Sequence, residues 1–173
     1  MAAAFLTRKF ALFLLAALPM VAHAQKVTME FDRDADFSMF RTFFINTGQL
    51  NAKSPALNNE LIRKQIQDDL RKQLTAKGLT EVTAGPRDLN VGFSLGAAPR
   101  REVEYYPAGW FGSRRVVTGY TQGTLIINLH ETSMRSLVWR TITVEDKARP
   151  ADVQAKLDSM VKKAFEQYPP KKK

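Results

Sequence analysis

The chain has 173 residues, with 26 Lys and Arg against 17 Asp and Glu for a formal net charge of +9, two histidines and no cysteine. Without cysteine there is no disulfide, thiolate metal site, cysteine nucleophile or acceptor for a lipid anchor, so the core alone must hold the fold. The positive balance favours anionic partners: in an exported protein, phospholipid headgroups, lipopolysaccharide phosphates and acidic polymers rather than nucleic acid.

Met1 to Ala24 reads as a cleavable export signal. Arg8 and Lys9 form the positive n-region, Phe10 to Leu18 the apolar stretch, and Ala22-His23-Ala24 offers small residues at the two positions a signal peptidase must accommodate. Cleavage is predicted between Ala24 and Gln25. The apolar run is much shorter than the roughly 20 residues that span a bilayer, so a retained transmembrane helix is not expected. Two of the 26 basic residues and none of the 17 acids fall in residues 1–24, which leaves a formal +7 on residues 25–173. That length suits one domain. A diffusible periplasmic protein with a basic tail, Lys171-Lys172-Lys173, is the expectation.

Val27, Met29 and Phe31 alternate with Thr28 and Glu30 and predict a first strand with one buried face. Asp32 to Ser38 is a polar connection, Phe40 to Ile45 a second strand, and Gly48 to Ser54 a loop. The period then changes. Leu57, Leu61, Ile66, Leu70 and Leu74 predict one apolar face of a helix capped by Asn58 and closed by Gly78, with Glu60–Lys64 and Asp68–Lys72 as ion pairs on the other side. Leu89, Val91, Phe93, Leu95 and Ala97 mark the cleanest strand. Tyr120 to Glu131 and Leu137 to Glu145 predict an antiparallel hairpin turning at Thr132 to Ser136, with Leu137, Trp139 and Thr141 on one face. Pro150 and Asp152 open a last helix with Val153, Leu157, Met160, Val161, Ala164, Phe165 and Tyr168 as its stripe, and Pro169-Pro170 stops it.

Two amphipathic helices and about five strands predict an α+β fold, a two-layer sandwich with a mainly antiparallel sheet and both helices on one face. The other face would carry Asn90, Gly92, Ser94, Gly96, Thr124, Asn128, His130 and Arg140. Ordinary solvation of an antiparallel sheet accounts for such residues.

Four stretches carry a resemblance over nearly all of residues 25–173. They are Phe31-Asp32-Arg33-Asp34-Ala35-Asp36-Phe37-Ser38 with Phe40-Arg41-Thr42; Asp88-Leu89-Asn90-Val91; Gly123-Thr124-Leu125-Ile126-Ile127 leading to Leu137-Val138-Trp139-Arg140; and Phe165-Glu166-Gln167-Tyr168-Pro169-Pro170. In combination and in order they resemble a bacterial envelope family, the domain of unknown function numbered 4136. The resemblance implies an exported protein. Members are commonly predicted to be lipoproteins, a habit this chain departs from by lacking the lipid-bearing cysteine, and the family supplies no catalytic residues to carry over.

Candidate chemistry is sparse. Asp32, Asp34 and Asp36 have the spacing that opens a calcium loop, but Phe37 and Phe43 stand where glycine and a bidentate glutamate are required, so turn hydrogen bonds are their expected role. His130 is the one histidine outside the signal, and no Gly-x-Ser-x-Gly elbow accompanies it. No phosphate-cradling glycine loop lies between a strand and a helix. No catalytic residue, metal site or cofactor is therefore predicted. Glu102 and Glu104 offer the weak alternative of a glycan-hydrolase carboxylate pair.

The segment Ala98 to Arg115 stands out. It carries Arg100, Arg101, Arg114 and Arg115 with Tyr105, Tyr106, Trp110 and Phe111 in a connection longer than most structureless loops. Arginine forks pair with phosphate or carboxylate, and exposed aromatic rings stack on sugars or settle at a lipid interface. Two readings stay open: a binding loop, or an extended hairpin whose rings fold back over the sheet and whose arginines are merely solvated. The functional expectation is a non-enzymatic module that binds an anionic envelope lipid, a glycan or a periplasmic protein. A hydrolase and a self-assembling structural subunit are the alternatives.

Overall fold

The computed structural model describes residues 25–107 and 112–171. The predicted signal, and with it Ala24, lies outside them, as do Trp110, Phe111, Lys172 and Lys173.

The elements in chain order are β1 (Lys26–Phe31), β2 (Thr42–Ile45), β3 (Gln49–Leu50), a 3-10 turn at Pro55–Leu57, α1 (Glu60–Ala76), β4 (Thr80–Glu81), β5 (Leu89–Pro107), β6 (Ser113–Glu131), β7 (Ser136–Ala148), α2 (Pro150–Ala155) and α3 (Leu157–Phe165). The fold is α+β, as the sequence predicts, but the sheet is larger and mixed. Seven strands take the order β1-β7-β6-β5-β2-β4, with β3 also paired to β5. β1, β7, β6 and β5 are antiparallel neighbours, whereas β2 runs parallel to both β5 and β4, and β3 parallel to β5. Five strands were expected because β3 and β4 are two residues each, too short to show a period. The parallel pairs follow from α1, which carries the chain from the β2 side back to β4 in the same direction.

Alternation sorts the long strands into two faces. Leu89, Val91, Phe93 and Leu95 of β5, Leu125, Ile127 and Leu129 of β6, and Trp139, Thr141 and Thr143 of β7 are buried beneath the helices. In α1 the buried stripe is Ile62, Ile66, Leu70 and Leu74, while Leu61 is 79% exposed. The expected Leu57–Leu61 phase fails because Leu57 sits in the 3-10 turn, out of register with the helix that follows. Asn59, not Asn58, is the cap, accepting from the Ile62 amide at 3.1 Å, and Asn58 donates instead to the Ala52 carbonyl. Gly78 closes the helix at φ 87°. The expected Glu60–Lys64 and Asp68–Lys72 pairs are replaced by Glu60–Arg63 at 3.0 Å and Asp68–Arg71 at 2.6 Å, because the arginine forks reach the acids one residue earlier.

The last predicted helix is broken at Lys156 into α2 and α3, although its stripe is buried as predicted. Lys156 turns inward there, its Nζ on the carboxylate of Glu145, which is 1% exposed on the helix side of β7. In the β6–β7 hairpin a bulge sets Leu129 against Trp139 and His130 against Leu137. Val138 and Trp139 are therefore both buried and Leu137 turns outward, which corrects the expected Leu137–Trp139 face.

The stretches behind the resemblance converge in this core. Trp139 packs on Phe165 at 5.1 Å and on Tyr168 at 5.5 Å, and Phe37 lies edge-on to Tyr168, Phe40 and Phe31 at 5.9, 5.8 and 6.3 Å. Asp88 clasps β2 to the start of β5, accepting from the Arg41 and Thr42 amides at 2.8 Å each and from Thr42 Oγ1 at 2.9 Å. The Arg41 amide above all, with Thr42, holds its carboxyl below the usual carboxylate range.

Candidate functional site

Among the described residues of the predicted segment, Ala98 to Pro107 and Ser113 to Arg115 are strand rather than loop. β5 and β6 pair without interruption from Leu89↔Glu131 to Pro107↔Ser113. The helix layer ends near Gly123, where an added Cβ would come within 2.6 Å of Val153, and β7 ends where Ala148 pairs with Thr121. Beyond that point, residues 100–107 and 113–120 pair only with each other. At about 3.3 Å per residue this two-stranded arm reaches roughly 26 Å past the core. Val103, Tyr105, Val116, Val117, Thr118 and Tyr120 have the β-branched and aromatic character of strands. No period marks them because neither face of the arm is covered, and one-sided burial is what writes alternation into a sequence.

Among the described residues, the arm's side chains do not fold back over the sheet. Tyr105 is 67% exposed, Val117 50% and Val103 41%, and Arg100, Arg101, Arg114 and Arg115 are all exposed. Tyr106 pairs with Arg114 in the ladder. An unbroken register fixes the two faces. Arg101, Val103, Tyr105, Arg115 and Val117 share the helix side, with Gly119 opposite Arg101; Arg100, Glu102, Glu104, Arg114 and Tyr120 share the other. Glu102 and Glu104 thus stand beside arginines on an open ladder.

At the arm's root a concavity of about 580 Å³ is bordered by Arg100, Arg101, Tyr120 and Arg149. Arg100 Nε donates to Gln122 at 3.1 Å, and Gln122 donates on to Asp146 at 2.6 Å. Arg149 grips Asp152 through Nε and a terminal nitrogen, both at 2.9 Å, and that side-chain bond, with the Arg149 amide, pulls the Asp152 carboxyl down to about 2. Arg149 is therefore committed to capping α2, while Arg101 extends into solvent.

The remaining candidates are placed as follows. On the open sheet face Arg87 donates to Asn90 at 2.7 Å and lies 4.6 Å over the Phe44 ring, Asn90 donates to Thr132 at 3.0 Å, and Arg140 to Asn128 at 2.8 Å. These groups satisfy one another. His130 is on this face, opposite Asn90. A depression of about 480 Å³ lies between Asn46 to Gln49 and Gly92, Ser94 and Asn128. A larger one, about 1080 Å³, runs between Met29, Phe31 and Arg33 and the chain from Glu166 to Lys171. Glu102 and Glu104 line none of the three. Asp32 accepts from the Asp34 amide at 2.9 Å, and Asp36 from the Ser38 amide and hydroxyl at 3.0 and 2.7 Å, which is turn chemistry. Among the described residues no three His, Asp or Glu side chains are grouped to hold a metal ion, and no helix is long and apolar enough to cross a membrane.

One buried and one half-buried acid escaped the sequence reading. One is Glu145. The other is Asp69 on α1, whose Oδ2 is buried without a partner and whose pKa rises to about 6, through burial first and then the nearby Asp158 of α3. Neither breaks a periodic pattern visibly enough to be found by eye.

No curated protein matches the chain. Solved structures do. A PDZ domain protein from Parabacteroides distasonis aligns at TM-score 0.53 and 19% identity, over 86% of this chain and 37% of that one, so this chain spans little more than a third of its length. PelC from Paraburkholderia phytofirmans, crystallised as a dodecamer, aligns at TM-score 0.50 and 12% identity over 82% of this chain and 95% of that one. A proposed neuraminyllactose-binding hemagglutinin homolog from Helicobacter pylori aligns at TM-score 0.50 and 12% identity over 78% and 88%. At these identities the likeness is one of fold. A family described only as a domain of unknown function, DUF4136, matches residues 27–170, and this chain belongs to it.

Proposed function

We propose that the protein is exported, cleaved between Ala24 and Gln25, and acts in the periplasm as a non-enzymatic module of one domain, residues 25–173, that binds an anionic component of the cell envelope through the β5–β6 arm. The observation that carries this reading is the arm itself. Two strands alone are marginally stable in water, and this pair holds Val103, Val117 and Tyr105 in solvent beside four arginines although the core needs none of them. Surface kept without a packing role is surface available to a partner.

Protein beginning at Gln25 is mixed with anionic vesicles, neutral vesicles and purified envelope glycans and sedimented at low and moderate salt. Salt-sensitive binding to an anionic class, reduced at least tenfold when Arg100, Arg101, Arg114 and Arg115 are changed to Ala, is expected; undiminished binding by that variant removes the arm from consideration. Amino-terminal sequencing of the protein recovered from cells should begin at Gln25.

Self-assembly has specific support as a second reading: among the described residues β1 is an edge strand with an unpaired outer side, and the similar PelC fold is crystallised as a dodecamer. A molar mass that stays at the monomer value across a wide concentration range would exclude it.

A further inference from the structure

We infer that the helix-side face of the arm, formed by Arg101, Val103, Tyr105, Arg115 and Val117, is a docking surface for an anionic lipid bilayer. This rests on the reading that the arm is the binding element, and it names the face and the ligand.

The two faces of the arm differ in charge. On the side away from the helices Arg100 and Arg114 share the ladder with Glu102 and Glu104, two cations against two anions. The helix side carries Arg101 and Arg115 with no acid from Pro99 to Thr121. Gly119 faces Arg101 across the ladder, so no β6 side chain stands directly opposite it. Between the two arginines lies the cross-strand pair Val103 and Val117, with Tyr105 beyond it, the three large apolar side chains that the arm exposes most among the described residues.

That order fits a membrane surface better than the other candidates. Guanidinium groups pair with lipid phosphates while their stems lie along apolar surface, a tyrosine ring settles at headgroup depth, and aliphatic side chains enter the acyl boundary. A soluble glycan offers no apolar interior for a valine pair. A second copy meeting the same face would bring Arg101 and Arg115 against their own kind, and the pair has no acid of its face to answer them.

The test uses vesicles of phosphatidylcholine alone and of phosphatidylcholine mixed equally with phosphatidylglycerol, at low salt. Arg101→Ala with Arg115→Ala should weaken binding to the mixed vesicles by about 30-fold, at about fivefold per arginine, while Arg100→Ala with Arg114→Ala should cost less than about fivefold because Glu102 and Glu104 already offset them. Val103→Ser with Val117→Ser leaves the charge unchanged and should still weaken binding by about tenfold. Thermal melts of each variant confirm that the fold persists. Equal losses from the two arginine pairs would overturn the face assignment while leaving the arm as the binding element. Binding to envelope glycans but not to vesicles would overturn the lipid inference alone, and concentration-dependent self-association abolished by the valine changes would reassign the face to a second copy.

Discussion

The β5–β6 hairpin belongs to two different environments along its own length. Its root, from Leu89 to Ala97 against Gly123 to Glu131, is the centre of the sheet and is covered by the helices; its arm, residues 100–107 and 113–120, has the same ladder and no cover. At the root alternate side chains from Leu89 to Leu95 and from Leu125 to Leu129 are buried, while on the arm valine and tyrosine stand in water beside arginine. The β5–β6 ladder alone does not distinguish the two ends. Packing and the outward pairing of the root strands with β2, β3 and β7 do: the root is where stability is generated, and the arm is where surface is presented. The four stretches behind the family resemblance lie with the root, the aromatic cluster and the Asp88 clasp, so they serve the fold, and on the proposed reading the arm is left to set the partner.

The largest expected effect lies in the root. Trp139→Ala removes the ring that joins Phe165 and Tyr168 and should cost about 3–5 kcal/mol in urea denaturation, whereas Tyr105→Ala on the arm should stay within about 0.5 kcal/mol. A comparable loss at both positions would erase the distinction. Lys156→Met leaves the Glu145 carboxylate buried without its cation and should cost about 2 kcal/mol, less than a fully buried pair would because Lys156 is partly exposed. The same denaturation series measures it, with Lys156→Arg retaining most of the stability.

Asp69 supplies a smaller effect of opposite sign. Its native pKa of about 6 lies above its unfolded value, so the native state is favoured below about pH 4 and loses stability as pH rises through 6. Asp69→Asn should therefore stabilise the protein at pH 7 to 8, by about 1 kcal/mol once solvent screening is allowed for, and raise Tm by a few degrees. Below pH 4 the gain should disappear. An equal gain at both pH values would show that the charge is not its source. The smallest effect on stability is expected from Arg101→Ala and Arg115→Ala, which should leave the urea midpoint unchanged within about 0.5 kcal/mol while weakening binding.

What could be read in advance follows the same division. One-sided burial writes a period into the sequence, so β1, the root strands, the β6–β7 hairpin, the stripe of α2 and α3 and the core placement of Trp139 were legible. The open sheet face was legible too, since Asn90, Asn128 and Arg140 alternate with buried neighbours. β3 and β4 were not, because two residues have no period, and neither was the mixed pairing they bring. Leu61 misled because an apolar residue four places after Leu57 imitates a helix face that begins only at Ile62. The arm's residues were legible as a composition, arginine with tyrosine and valine, but their strand geometry was not: a ladder solvated on both sides has no alternation to detect. The division of its charges between two faces required the register, and only the pairing of Arg101 with Gly119 and of Tyr105 with Arg115 supplies that.

The most direct measurement replaces residues 100–120 by a short Asn-Gly turn and compares the urea midpoint and the binding to anionic vesicles and envelope glycans with those of the intact chain. An unchanged midpoint with binding abolished is the predicted result, since the core would close at the pairs next to Ala97 and Gly123. A protein that unfolds, or one that stays folded and still binds, would contradict the assignment of stability to the root and recognition to the arm.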